Sequence, residues 1–201
     1  VIRAVAFDLG GVLVDWNPRH LFRRLLPDDR SVETFLGEVG FYAWNGRLDR
    51  GMPMREAVAE LCAAHPERAW LIEAFAANWL ETIAGPIAGM PALVGQLRSR
   101  GVPCYVCTNS AAETFRAARA AYPFLDQLDG AVVSGELGCA KPEGAFYAAV
   151  LDCVGLPAPE ILFVDDRPEN VVGARRAGLA AVHFTDVEAL RAELTRCGFA
   201  I

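Results

Sequence analysis

The pattern of apolar positions changes twice along the chain. Residues 2–8 form an almost unbroken apolar run closed by Asp8, the mark of a strand buried on both faces. From Asp15 to about Pro86 the apolar residues instead recur three and four apart. Leu21, Phe22, Leu25 and Leu26 do so, followed by Val32, Phe35, Leu36 and Val39, and residues 56–64 and 70–83 continue the same helical texture. No strand pattern interrupts this stretch, and Pro86, Gly89 and Pro91 punctuate its exit. Beyond it the two patterns alternate. A helix over 90–100 stops at Gly101, and strands over 104–107, 131–133, 161–164 and 181–184 are separated by helices over 111–121, 143–154 and 168–177. A last helix covers 187–196. This order predicts an α/β fold, a Rossmann-like parallel sheet with helices on both faces. The first strand belongs to the same sheet, so the helical stretch is an inserted all-helical cap. The expected division is a core of residues 1–14 and 86–201 and a cap of residues 15–85.

Open parallel sheets bind ligands at the carboxyl ends of their strands. In this sequence those ends carry Asp8 with Gly10 and Gly11, then Thr108 and Asn109, then Lys141, then Asp165 and Asp166. Each has an ordinary structural use: Thr108-Asn109-Ser110 can cap a helix, Lys141 can be a solvated loop charge, and Asp165-Asp166 can complement a helix dipole. Ordinary uses do not explain why all of them fall at successive strand ends. Asp8, Asp165 and Asp166 make a hard oxygen site suited to Mg²⁺, which would let a carboxylate and a phosphate approach each other. Thr108 and the backbone N–H groups near Gly11 and the following helix start can hold phosphoryl oxygens, and Lys141 adds positive charge. Asp8 is then placed to attack phosphorus and form an aspartyl-phosphate.

Composition narrows the setting. Hydrophobic residues make up 53% of the 201, which argues against disorder. A net charge of −6 with scattered basic residues argues against a nucleic-acid partner, and no apolar run reaches transmembrane length. Six cysteines lie far apart, and the Cys104–Cys107 spacing falls inside a strand pattern with no second pair. Reduced thiols, no signal peptide and a cytoplasmic setting are therefore expected.

The motifs Phe7-Asp8-Leu9-Gly10-Gly11-Val12-Leu13, Thr108-Asn109, Lys141-Pro142-Glu143 and Val164-Asp165-Asp166 with Asn170 resemble, in order and spacing, those of the haloacid dehalogenase superfamily. The insert looks like the cap of the subgroup with an early cap. The chain is similar in particular to bacterial sugar-phosphate phosphatases of the glucose-1-phosphate type, which share the Asp-Leu-Gly start. The resemblance implies that Asp8 is the nucleophile. It implies that the Gly10 carbonyl and Asp166 bind the metal directly, with Asp165 acting mainly through water. Thr108, Asn109 and Lys141 would hold the phosphoryl group, and Asn170 would support the acidic loop.

One departure matters. Many phosphatases of the superfamily carry a second aspartate two residues after the nucleophile, as general acid. Here that position is Gly10, and a positioned acid is worth ~10²–10⁴-fold. Asp15 reads as a loop cap rather than its substitute. Relatives that act as 2-haloacid dehalogenases also lack the second aspartate, but they need neither metal nor an acidic pair, so Asp165-Asp166 favours phosphate chemistry. A receiver-like phosphate-binding module would place its acidic pair early and its acceptor late, the reverse of this order. The loss at Gly10 leaves a catalytically weak relative as a further alternative. Substrate selection falls to the cap, where Trp44, Asn45 and Arg47 within Phe41–Asp49 are the expected contacts, with Trp16–Arg19 at the hinge. His20, His65 and His183 lack ligand-like spacing and receive no role. The expected partner is a small phosphorylated metabolite; monomer and homodimer are both open.

Overall fold

The computed structural model describes every residue, Val1–Ile201. The chain opens with strands β1 (Ala4–Phe7) and β2 (Val14–Trp16). Five helices follow: α1 (Pro18–Leu25), α2 (Asp29–Glu38), α3 (Phe41–Leu48), α4 (Met54–Ala64) and α5 (Ala69–Ala77). Next come β3 (Ile83–Pro86), α6 (Met90–Ser99), β4 (Cys104–Thr108), α7 (Ala112–Ala121), β5 (Gly130–Val133), the short α8 (Ser134–Leu137) and α9 (Gly144–Val154). The chain ends with β6 (Ile161–Asp165), α10 (Pro168–Arg176), β7 (Ala180–His183) and α11 (Val187–Arg196).

The main sheet runs β5-β4-β1-β6-β7, with every neighbouring pair parallel. Strand β1 is the middle member, and all four of its residues are fully buried. Because side chains alternate between faces, Val5 and Phe7 join a cluster with Leu93 and Leu97 of α6 and Leu190 of α11. Ala4 and Ala6 face the other way, toward Phe146 and Val150 of α9 and Ala174 of α10. Burial on both faces is why β1 reads as a continuous apolar run rather than an alternating one. Strand order reverses at β1, which has β4 on one side and β6 on the other. The crevice above these three strand ends is therefore where a ligand belongs in such a sheet.

Helices α1–α5 pack about an apolar cluster of their own, built from Leu21, Phe22, Phe35, Phe41, Trp44, Leu71 and Phe75. Phe22 and Phe41 each meet Phe75 within this cluster, Phe41 edge-on with ring centroids 5.1 Å apart. Two differences from the sequence pattern stand out. Residues 70–83 are not one helix: α5 ends at Ala77, a 3₁₀ turn covers Trp79–Thr82, and β3 begins at Ile83. Strand β3 pairs antiparallel with β2, so a two-stranded ribbon stands where the chain enters and leaves the helical insert. Helix α3 is the second difference, since its residues carry no helix assignment in the pattern above. No helix is long and apolar enough to cross a membrane.

Candidate active site

The end of β1 delivers Asp8 to the crevice. Its backbone N–H donates to Val164 O at 2.8 Å, continuing the β1–β6 ladder, and its Oδ1 accepts the Leu9 N–H at 2.7 Å. Lys141, buried to 4% exposure, spans two carboxylates: its Nζ lies 2.8 Å from Asp8 Oδ1 and 2.7 Å from Asp165 Oδ2. Asn109 fixes the lysine's backbone from the end of β4. Its Nδ2 donates to Lys141 O at 3.0 Å, and its Oδ1 accepts Lys141 N–H at 2.8 Å. The remaining oxygen of Asp165, Oδ1, accepts the Arg167 N–H at 2.9 Å and Asn170 Nδ2 at 3.0 Å. Both oxygens of Asp165 are therefore engaged, while its neighbour Asp166 opens onto the crevice.

Gly11 makes room for Asp166. Its φ is +76°, and a Cβ there would stand 2.4 Å from Asp166 Oδ2. A side chain at this position is thus excluded twice, by backbone conformation and by space. Carboxylate oxygens of Asp8, Asp165 and Asp166 lie within 4.8 Å of one another. The carbonyl of Gly10 accepts no backbone hydrogen bond from its loop and lines the same cavity.

The electrostatics show what this cluster lacks. Burial raises the Asp8 carboxyl well above the ordinary range, Lys141 pulls it back, and the charges of Asp165 and Asp166 add to the rise. Burial and the charge of Asp165 likewise raise Asp166. Burial works against the Lys141 ammonium, but the carboxylates of Asp8 and Asp165 outweigh it and hold the group charged. One ammonium among three acids leaves the site short of positive charge. A donor set made only of oxygens with unbalanced negative charge fits a small, hard divalent cation such as Mg²⁺.

The crevice continues upward into a cavity of about 460 Å³ between core and cap. Thr108, Asn109 and Lys141 line its floor with Asp8, Gly10, Gly11, Asp166 and Asn170. The seven floor residues expected from the sequence, apart from the enclosed Asp165, thus meet in one place with Asn170 beside them. The cap residues divide. Asn45 lines the cavity, but Trp44 does not: it is 4% exposed within the cap cluster, and its Nε1–H donates to Ala57 O at 3.0 Å. Arg47 also lies elsewhere, paired with Glu60 at 2.6 Å on the cap surface. Trp44 and Arg47 are accordingly corrected to cap residues outside the cavity. Asn17, Arg19, Tyr42 and Asp49 stand there instead. Arg19 is fixed by Glu33 at 2.5 Å and by the Tyr42 hydroxyl at 2.6 Å, while the Asn17 side chain caps α1. A signal for this wall exists in α3. Phe41, Trp44 and Leu48 repeat at helical spacing on the buried face, and Tyr42, Asn45 and Asp49 repeat one position later, toward the cavity.

Comparison with known proteins agrees with this picture. A family model described as haloacid dehalogenase-like hydrolase matches residues 2–178. A phosphoglycolate phosphatase from Rhodospirillum rubrum is 30% identical over 190 residues, spanning 90% of this chain and 78% of that protein. A sesquiterpene phosphatase from Aspergillus oryzae is 29% identical over 198 residues, spanning 96% of this chain and 94% of its own. In backbone, the L-2-haloacid dehalogenase from Xanthobacter autotrophicus aligns with a TM-score of 0.67 at 20% identity, covering 98% of this chain and 83% of that one. That likeness bears on the fold.

Proposed function

This chain belongs to the haloacid dehalogenase-like hydrolases, and we propose that it is a Mg²⁺-dependent phosphatase of a small phosphate monoester, with Asp8 as nucleophile. The observation that carries the reading is the pairing of Asp8 with Lys141 beside a second and third carboxylate at the strand ends. A halide displacement has no use for that acidic pair, whereas a phosphoryl transfer must balance the charge of an anion approaching an anion. Asp8, Asp166 and the Gly10 carbonyl would hold the metal, with Asp165 supporting them, and the ion would offset the charge of the phosphoryl group and of Asp8. Lys141, beside Asp8, would hold the phosphoryl oxygens, and Asn109 keeps the lysine backbone in register. Thr108 completes the phosphoryl cradle from the end of β4; the Leu9 and Gly11 N–H groups, expected to share in it, instead donate to Asp8 Oδ1 at 2.7 Å and to Val14 O at 2.8 Å. Asn170 anchors Asp165 and through it the acidic loop.

The two phosphatase relatives support monoester hydrolysis, and their differing substrates leave the organic group to the cap. The polar wall of Asn17, Arg19, Tyr42, Asn45 and Asp49 suits a hydroxylated group such as a sugar, in line with the glucose-1-phosphate-type likeness. Six unpaired thiols suit a reducing compartment such as the cytoplasm. The test is phosphate release from p-nitrophenyl phosphate and a sugar-phosphate panel, and halide release from 2-chloropropionate, each with Mg²⁺ and with EDTA. Phosphate release that EDTA abolishes, and that Asp8→Asn lowers by roughly 10⁴-fold or more, is expected. Halide release in EDTA with no phosphate release would overturn the proposal.

A further inference from the structure

With glycine at position 10, the residue two after the nucleophile has no side chain to protonate the oxygen that leaves phosphorus. The cap wall facing Asp8 carries one carboxyl, Asp49. We propose that Asp49 is the general acid for the leaving group, an inference that rests on the phosphatase reading above.

Its position supports this role. Asp49 directly follows α3, where its backbone N–H donates to Asn45 O at 3.0 Å. Its Oδ2 accepts a single side-chain hydrogen bond, from Asn45 Nδ2 at 3.1 Å. The adjacent Arg50 does not pair with it, because that guanidinium donates to Glu143 Oε1 at 2.7 Å. Glu143 stands two residues beyond Lys141, so this ion pair ties the end of α3 to the loop that bears the phosphoryl-binding lysine. One residue further on, Gly51 takes φ +92°, and a Cβ there would lie 2.8 Å from Gly135 O. The cap backbone rests directly on the core at that point. Asp49 is therefore carried by the part of the cap that is seated on the core.

The surroundings favour a proton on this carboxyl. Burial raises Asp49 to about 6, against the Asn45 hydrogen bond and the charges of Arg50, Lys141 and Arg167. Asp8 and Asp166 face it from the floor of the cavity and Arg19 from the cap wall. As Asp8 attacks phosphorus, the bond from phosphorus to the ester oxygen breaks, and that oxygen takes the Asp49 proton and departs as the alcohol. Asp49, now a carboxylate, takes a proton from the water that attacks the aspartyl-phosphate. Phosphate is released, Asp8 is regenerated as a carboxylate, and Asp49 is protonated again.

The test uses phenyl phosphate and p-nitrophenyl phosphate with Mg²⁺, because the poorer leaving group needs the acid more. Asp49→Asn is expected to lower kcat on phenyl phosphate by roughly 10²–10⁴-fold, and by a factor at least ~10 smaller on p-nitrophenyl phosphate, without a matching rise in KM. Wild-type kcat on phenyl phosphate is expected to fall as pH rises above about 6, where the donor proton is lost, and the variant is expected to lack that limb. Equal losses on both esters, in a variant with the wild-type circular dichroism spectrum, overturn the assignment. So does a wild-type profile without the high-pH fall, whatever the variant's folding. Wild-type protein inactive on both esters sinks the phosphatase reading itself, and this inference with it.

Discussion

At Gly11 the backbone adopts φ +76° so that Asp166 can occupy the space a Cβ would fill, 2.4 Å from Oδ2. The two positions therefore act as one unit: the acid can face the crevice only because its neighbour has no side chain. Gly11→Ala is expected to displace Asp166 and raise the Mg²⁺ concentration giving half-maximal activity by roughly 10–100-fold, as loss of support for a metal ligand does. A Mg²⁺ titration of phosphate release checks this, and an unchanged midpoint would contradict the role given to Asp166. Asp8, Asp165 and Asp166 were legible in the sequence because they fall at the end of an apolar strand, and strand ends converge in a parallel sheet, whereas Lys141 arrives from the loop after α8 rather than from the end of β5. What Asn109 touches was not legible. Its amide reads as a phosphoryl contact, yet both of its polar atoms clamp the backbone of Lys141, thirty-two positions away.

Helix α3 shows how an element can present two chemistries at once. Its apolar face fills the cap cluster through Phe41, Trp44 and Leu48, and its polar face offers Asn45 and Asp49 to the cavity. The aromatic side chains in this stretch invite a substrate-stacking role, but helical spacing assigns Trp44 to packing, where its indole N–H is satisfied by Ala57 O. Trp44→Ala is expected to cost about 3–5 kcal/mol by opening a cavity in the cap. Urea unfolding measures it, and a loss below about 1 kcal/mol would contradict the core assignment. The short ribbon of β2 and β3 escaped the sequence pattern for a related reason. Trp79 and Ile83 sit four apart and continue a helical period, while the partner that makes Ile83 a strand residue is Trp16. Pairing between such distant short segments leaves almost no local trace.

At the scale of the molecule, the sheet gathers charge and the cap walls the cavity above it. Strand β1, buried on both faces between β4 and β6, fixes Asp8 relative to Thr108 and Asp165. The cap has its own apolar cluster and meets the core through the ribbon and through the seat at Arg50 and Gly51. Strand–helix alternation made the core architecture readable because every βαβ unit repeats the same local pattern. The seating of the cap was not readable, since it depends on contacts such as Arg50 with Glu143 that join residues 93 apart. On the proposed reading, all of these features serve one chemical event, transfer of a phosphoryl group to Asp8. The most direct test is mass spectrometry of the enzyme quenched in acid during turnover of p-nitrophenyl phosphate with Mg²⁺. The expected result is one phosphoryl group on the peptide containing Asp8, absent in EDTA and absent from Asp8→Asn. A phosphoryl group on any other residue, or an Asp8→Asn variant that turns over at the wild-type rate, would contradict it.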